Sequence, residues 1–251
     1  GCRLARQLSV LPRVDEPEAL QPLRALTKTH PRVRGGYVAR SLSLLFGLIL
    51  FAVGIVLIYE SKLGLSPWDV LNQGLAKHTF LTFGTANIAV AVVVLGIAWS
   101  LGGIPGIGTV ANAVLVGSFI QVLTSIDSIA DLSHHELGMR IPLLLAGILL
   151  IGPATAFYIG ADLGAGPRDT LMLVGARRTR FRIGIVRGAL ELTALVIGII
   201  LGGTFGVGTV LFAFGVGPIV ELSFFLLGRS PLAERGIIVV PYSESVAVQE
   251  E

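Results

Sequence analysis

Residues 140 to 225 repeat residues 40 to 125 at a constant offset of 100. Leu63-Gly64, Pro67, Asp69 and Leu71 return as Leu163-Gly164, Pro167, Asp169 and Leu171. Leu101-Gly102-Gly103, Gly106 and Gly108-Thr109-Val110 return as Leu201-Gly202-Gly203, Gly206 and Gly208-Thr209-Val210, and Arg40 finds its counterpart in Arg140. Two copies this long, in a chain this apolar, point to one membrane bundle built from two related halves. Transporters commonly hold a site between halves of this kind.

Composition sets the solvent. Hydrophobic residues make up 53% of the chain and charged residues 14%, with a mean hydropathy of +0.81. Soluble domains carry about 25% charged residues. Too little polar surface is left for water, so the lipid bilayer must cover the chain. The lone Cys2 excludes an internal disulfide and a cysteine metal cluster. His30, His78, His134 and His135 fall outside the apolar runs without ligand spacing, and the adjacent pair reads as part of a solvated loop. No metal and no cofactor are expected. The pI near 9.4 reflects basic residues beside apolar runs, where they orient a membrane protein, so nucleic acid is not an expected partner. The first forty residues are mixed and charged with no apolar h-region, so no cleavable signal peptide is expected there.

Three long apolar runs occur in each copy, at 41–59, 83–101 and 107–126, then at 141–160, 183–201 and 207–227. Each copy also holds one short segment, 66–78 and 166–177. Some 13 helical residues reach roughly 20 Å, against a hydrocarbon core of about 30 Å. The expected fold is therefore an all-α polytopic membrane protein of two repeats, each with three transmembrane helices plus one short half-helix. An odd number of spans turns the second repeat upside down. The expected organisation is a cytoplasmic tail (1–39, with one short helix near 16–27), repeat 1 (40–126), an extracytoplasmic loop (127–139), repeat 2 (140–228) and a cytoplasmic tail (229–251). Charge agrees: Asp127, Asp131 and Glu136 then lie outside, while Arg177, Arg178, Arg180, Arg182, Arg229 and Arg235 lie inside. Were both short helices to cross, the halves would run parallel; Lys77 is a small mark for that alternative.

The short helices open with Ser66-Pro67-Trp68-Asp69 and Gly166-Pro167-Arg168-Asp169. Ser or Gly at N-cap, Pro at N1 and Asp at N3 form a helix-start signature. One reading makes each Asp a cap that accepts orphan backbone N–H groups. The other puts Asp69 and Asp169 near the midplane, where buried carboxylates are candidates for substrate, cation or proton binding. Arg187 and Glu191, one helical turn apart, occur in the second repeat only, opposite Asn87 and Ala91. They form either a self-neutralising pair or a place where Arg187 meets an anionic group. Arg168 beside Asp169 reads as a local ion pair, and Trp68 stands where the second copy has Arg168. Glu221, opposite Gln121, is a further isolated ionisable position. Asn112 is expected to hydrogen-bond another helix.

The links at 102–109 and 202–209 join helix to helix and lack the P-loop lysine, so they read as tight hairpins in which Thr109 and Thr209 cap the next span, the alternative being that their exposed glycine carbonyls line a site. Gly47, Gly54, Gly117, Gly147 and Gly217 are expected at close helix contacts. Gly152-Pro153 and Gly217-Pro218 fall within spans and read either as static kinks or as hinges.

The stretch Leu63-Gly64-Leu65-Ser66-Pro67-Trp68-Asp69-Val70-Leu71-Asn72-Gln73-Gly74-Leu75, followed by Phe83-Gly84-Thr85 and Pro105-Gly106-Ile107-Gly108-Thr109, resembles the bacterial YczE/YitT-type membrane protein family, most closely its YczE branch. The resemblance covers residues 40–228 and implies a multi-pass protein of the bacterial inner (plasma) membrane. It implies no substrate. The expected function is a secondary transporter or exporter of a small solute, with Asp69, Asp169, Trp68, Arg168, Arg187 and Glu191 as the binding residues. The alternative is a non-transporting scaffold or accessory protein that holds a partner protein through the basic loop 177–182 or the tails. With no nucleophile–base pair, metal cluster or nucleotide motif, an enzyme is not expected.

Overall fold

The computed structural model describes residues 31–126, 137–181 and 183–235. Among them are eight helices: α1 (Tyr37–Ser61), α2 (Pro67–His78), α3 (Phe83–Ser100), α4 (Ile107–Thr124), α5 (Leu137–Gly160), α6 (Pro167–Thr179), α7 (Ile183–Ile200) and α8 (Val207–Arg229). Two short strands, β1 (Pro31–Val33) and β2 (Ala233–Arg235), pair antiparallel with Pro31 opposite Arg235. The helix expected near 16–27 and the loop bearing His134 and His135 lie outside the described residues.

Local chemistry explains the boundaries. The Ser66 hydroxyl accepts the Asp69 N–H at 3.3 Å while Pro67 fills N1, so α2 starts there. Thr109 and Thr209 accept the N–H groups of Gly106 and Gly206 at 3.1 and 3.3 Å and start α4 and α8, as expected. Helices α1 and α5 extend four residues upstream of their charge-free runs, because Arg40 and Arg140 are housed within the helix rather than ending it. Five helices (α1, α3, α4, α5 and α8) are long and apolar enough to cross a membrane. Helix α7 has 18 residues and carries Arg187 and Glu191. Helices α2 and α6 have 12 and 13 residues.

The equivalent helices α1 and α5 form the central pair and run antiparallel. Ser43 Oγ donates to the Phe157 carbonyl at 2.9 Å, and Gly47 sits against Ala154 and Tyr158. Gly54 faces Gly147, where a Cβ on either would lie 3.1 or 2.7 Å from the other's carbonyl oxygen. Small residues let the backbones meet. Leu48, Ala52, Ile55, Ile58, Leu144, Ile148 and Ile151 fill this interface, while Phe46, Ile49, Leu145 and Leu149 point outward on the same helices. The ends are clamped reciprocally: Arg40 Nε donates to the Ala161 carbonyl at 2.6 Å, and Arg140 Nε to the Ser61 carbonyl at 2.7 Å. Positions 61 and 161 are themselves equivalent, so each arginine caps the same carbonyl at the other copy's helix C-terminus.

The short helices are exchanged. Helix α2 packs on α7, and α6 packs on α3. The glycine links lock this exchange. The Leu63 carbonyl accepts the Gly208 N–H, and the Leu163 carbonyl accepts the Gly108 N–H, both at 2.7 Å. Gly64 and Gly164 take φ of 120° and 128°. A Cβ at Gly206 would lie 2.4 Å from the Leu63 oxygen, and one at Gly106 2.6 Å from the Leu163 oxygen. The Gly-x-Gly-Thr turn of one copy is thus a socket for the Leu-Gly turn of the other. The hairpin expected from the sequence accounts for half of that motif's role.

The two copies differ at one seam. Helices α3 and α4 touch through Gly84 and Gly117, where a Cβ on either would lie 2.6 Å from the other's carbonyl oxygen, and Thr82 hydrogen-bonds Gln121 above them. Among the described residues the counterparts Gly184 on α7 and Gly217 on α8 have nothing within 4 Å of a Cβ. The expectation that Gly217 serves close packing is therefore corrected: α7 and α8 are splayed where α3 and α4 are shut.

Candidate functional site

The N-termini of α2 and α6 meet. Trp68 and Arg168, equivalent positions of the two copies, touch each other, with the guanidinium carbon 5.1 Å from the centre of the indole. Directly beside them stand the two aspartates. Asp69 is 3% exposed. It takes a hydrogen bond from the Ser66 hydroxyl and one from Asn72 Nδ2 at 3.2 Å. Asp169 takes one from the hydroxyl of buried Tyr158. The cap reading had these carboxylates accepting backbone N–H groups. Instead side-chain donors reach them, since Ser66 takes up the free N–H of Asp69 itself.

Arg168 interacts electrostatically with Asp69, Asp169, Tyr158 and Glu191. Among the described residues it makes no hydrogen bond and no ion pair, so the expected local pair with Asp169 is replaced by the stack on Trp68. Arg187 and Glu191 are bonded to one another at 2.9 Å, as the one-turn spacing predicts. Arg187 is also in electrostatic reach of Asp169 and Tyr158. Trp68, Asp69, Arg168 and Asp169 therefore meet where α2 and α6 start, and the more exposed Arg187–Glu191 pair on α7 flanks them within electrostatic reach. Glu221 is exposed and is not among the groups acting on Arg168 or Arg187.

The cluster lies deep. The Tyr158 ring packs edge-on against Phe51, 6.1 Å between centres. Phe51 is the fifteenth residue of the 25 in α1, so the Tyr158–Asp169 bond sits near the middle of the longest helix. Around it, a Cβ at Gly166 would lie 3.3 Å from Asn112 Oδ1 and 3.4 Å from the Tyr158 hydroxyl. Tyr158, Asn72 and Asn112 escaped the sequence reading as site residues. One signal marks all three: each is polar in one copy and apolar in the other, opposite Ile58, Met172 and Phe212. Two atoms, Asn72 Oδ1 and Asn87 Nδ2, are buried without a hydrogen-bond partner among the described residues.

Residues 38–224 match the model of a family described as a family of unknown function, DUF6198. That stretch holds the first copy, all but the last residue of the second, and every residue of the cluster. The chain belongs to this family. It is 38% identical over 184 residues to the uncharacterized membrane protein YczE of Bacillus subtilis, covering 70% of this chain and 81% of that one. An uncharacterized protein of Haemophilus influenzae is 37% identical over 188 residues, 75% of this chain and 84% of its own. The Bacillus subtilis protein YyaS is 29% identical over 172 residues, with 66% and 82% covered. No solved structure matches.

In this YczE-type chain the cluster offers binding chemistry. Among the described residues no three His, Cys, Asp or Glu come together as a metal site. The carboxylates are supplied with donors from the protein, and the Arg187–Glu191 pair is internally matched. The guanidinium of Arg168, over the Trp68 ring, is the charged group of the cluster that makes no hydrogen bond or ion pair among the described residues.

Proposed function

We propose that this membrane protein is a secondary transporter or exporter of a small solute in the bacterial inner membrane, with both termini cytoplasmic. On this reading the copies are inverted repeats of three spans and one half-helix each, α7 being the sixth span. The solute binds at Trp68, Asp69, Arg168, Asp169, Arg187 and Glu191. One observation carries the reading: a polar cluster lies at mid-length between the copies, with the α3–α4 seam shut and its counterpart α7–α8 open. The antiparallel α1–α5 pair and its reciprocal arginine clamps support the inverted relation. The pairing of β1 with β2 supports tails on one face. Rocking of one copy against the other would shut the second seam and open the first.

Paired cysteines test the exchange. In a C2S background, T82C/Q121C, whose side chains already meet at the α3–α4 seam, is expected to cross-link as isolated with a short bifunctional thiol reagent, and G184C/G217C to cross-link only as the protein cycles. A 184–217 pair that never forms, under any solute or pH, sinks the alternating-access reading. Everted vesicles supply the second measure. Solutes that accumulate with the wild type, followed by mass spectrometry, are expected to fall to the level of empty vesicles with D69N or D169N. If those variants behave as wild type while changes at Arg177–Arg180 or in the tails abolish a cellular phenotype, the chain is the scaffold for a partner protein instead.

A further inference from the structure

We infer that Arg168 is the anion-binding residue of the cluster and that the solute carries a carboxylate or phosphate group. This rests on the proposed function and names its substrate class. A guanidinium has five N–H donors in a planar fork that suits paired oxygens. Every other charged group nearby is matched. Asp69 has Ser66 and Asn72, Asp169 has Tyr158, and Arg187 has Glu191. The donors of Arg168 face no bonded acceptor among the described residues, although Asp69 and Asp169 hold the group in place electrostatically. Among the charged groups of the cluster the unmet demand is therefore for acceptor oxygens, while the neutral Asn72 Oδ1 beside Asp69 is left to accept from a donor. Arg168 is the second residue of α6, at a helix start, and its guanidinium carbon lies over the Trp68 ring at 5.1 Å from the centre. A donor fork beside two converging helix starts suits an oxyanion, whereas an amine would compete at the carboxylates with Ser66, Asn72 and Tyr158.

Trp68 supplies the readout. The chain has two tryptophans, and the other, Trp99, is exposed, so W99F leaves a single reporter touching Arg168. The full-length W99F protein in nanodiscs is titrated with succinate, acetate and inorganic phosphate, and with choline and glycerol as cationic and neutral probes, at constant ionic strength. At least one of the three anions is expected to change Trp68 emission saturably. That response should weaken about 10- to 100-fold in R168Q, the loss of a charge-assisted hydrogen bond. R168K, which keeps charge without the fork, should fall between, and it carries the test should R168Q fail to fold. No response to any of the three anions, a response to choline instead, or an undiminished response in R168Q overturns the assignment. The two proposals fail separately. Anion binding without cross-linking of 184 to 217 leaves Arg168 standing and transport fallen. Seam exchange without anion binding does the reverse.

Discussion

Gly64→Ala is expected to destabilise the protein by about 2–6 kcal/mol, seen as a large loss of monodisperse material after heating. Two effects add. A side chain at φ of 120° holds the backbone in a region that costs about 1–3 kcal/mol. Its Cβ would also lie 2.8 Å from the Gly206 nitrogen and the Thr209 hydroxyl, and overpacking of that kind costs about 1–3 kcal/mol. The atoms struck belong to the other copy and are mostly backbone, so relief requires prising the Leu63–Gly208 hydrogen bond apart. Gly164→Ala, at the matching junction with Thr109, is expected to behave alike. Gly96→Ala is the control. A Cβ there has nothing within 4 Å among the described residues, and helix propensity favours alanine by up to about 1 kcal/mol. Equal behaviour of Gly64→Ala and Gly96→Ala would refute the interlock.

Arg40→Ala is expected to cost about 2–4 kcal/mol, more than Arg140→Ala at about 1–2 kcal/mol. Both remove a cap from the other copy's helix C-terminus. Arg40 does more: it is 8% exposed, bonds both the Ala161 and Asp162 carbonyls, and reaches the Asp162 carboxylate at 3.2 Å. Arg32 approaches the same carboxylate at 3.4 Å, so the site ties the tail strand to the bundle as well. Arg40→Lys should recover little, because an ammonium cannot span two carbonyls and a carboxylate as the fork does. Thermal melting of the purified variants decides the order, and an Arg140→Ala loss as large as that of Arg40→Ala would contradict this account.

Much of this arrangement was legible in the residues. Helix starts at Pro67, Pro167, Ile107 and Val207 follow from Ser, Gly, Pro and Thr at capping positions, where local chemistry decides. The cluster was also visible in outline, because ionisable residues inside apolar runs are few. Partnership was not legible. Nothing in 63–64 or 206–209 says that the turns dock on each other, since a docking glycine and a hairpin glycine look alike. The exchange of α2 and α6 between copies is likewise set by long-range packing. Tyr158 was hidden for another reason: an aromatic in an apolar run reads as core, and its role emerges only where Asp169 arrives beside it. The different fates of Gly117 and Gly217 could not be read either, because identical residues in equivalent places are shut in one copy and open in the other.

The contact between Trp68 and Arg168 bears on how such a chain came to be a single polypeptide. Equivalent residues that face each other would be identical in a homodimer of one half. Two arginines at about 5 Å would then repel by about 3 kcal/mol at an effective dielectric of 20. Two tryptophans would leave the meeting point without a cation. Once the coding sequence is duplicated the two sides can drift apart, so that one carries the aromatic ring and the other the positive charge, and a single chain fixes the two in a one-to-one ratio.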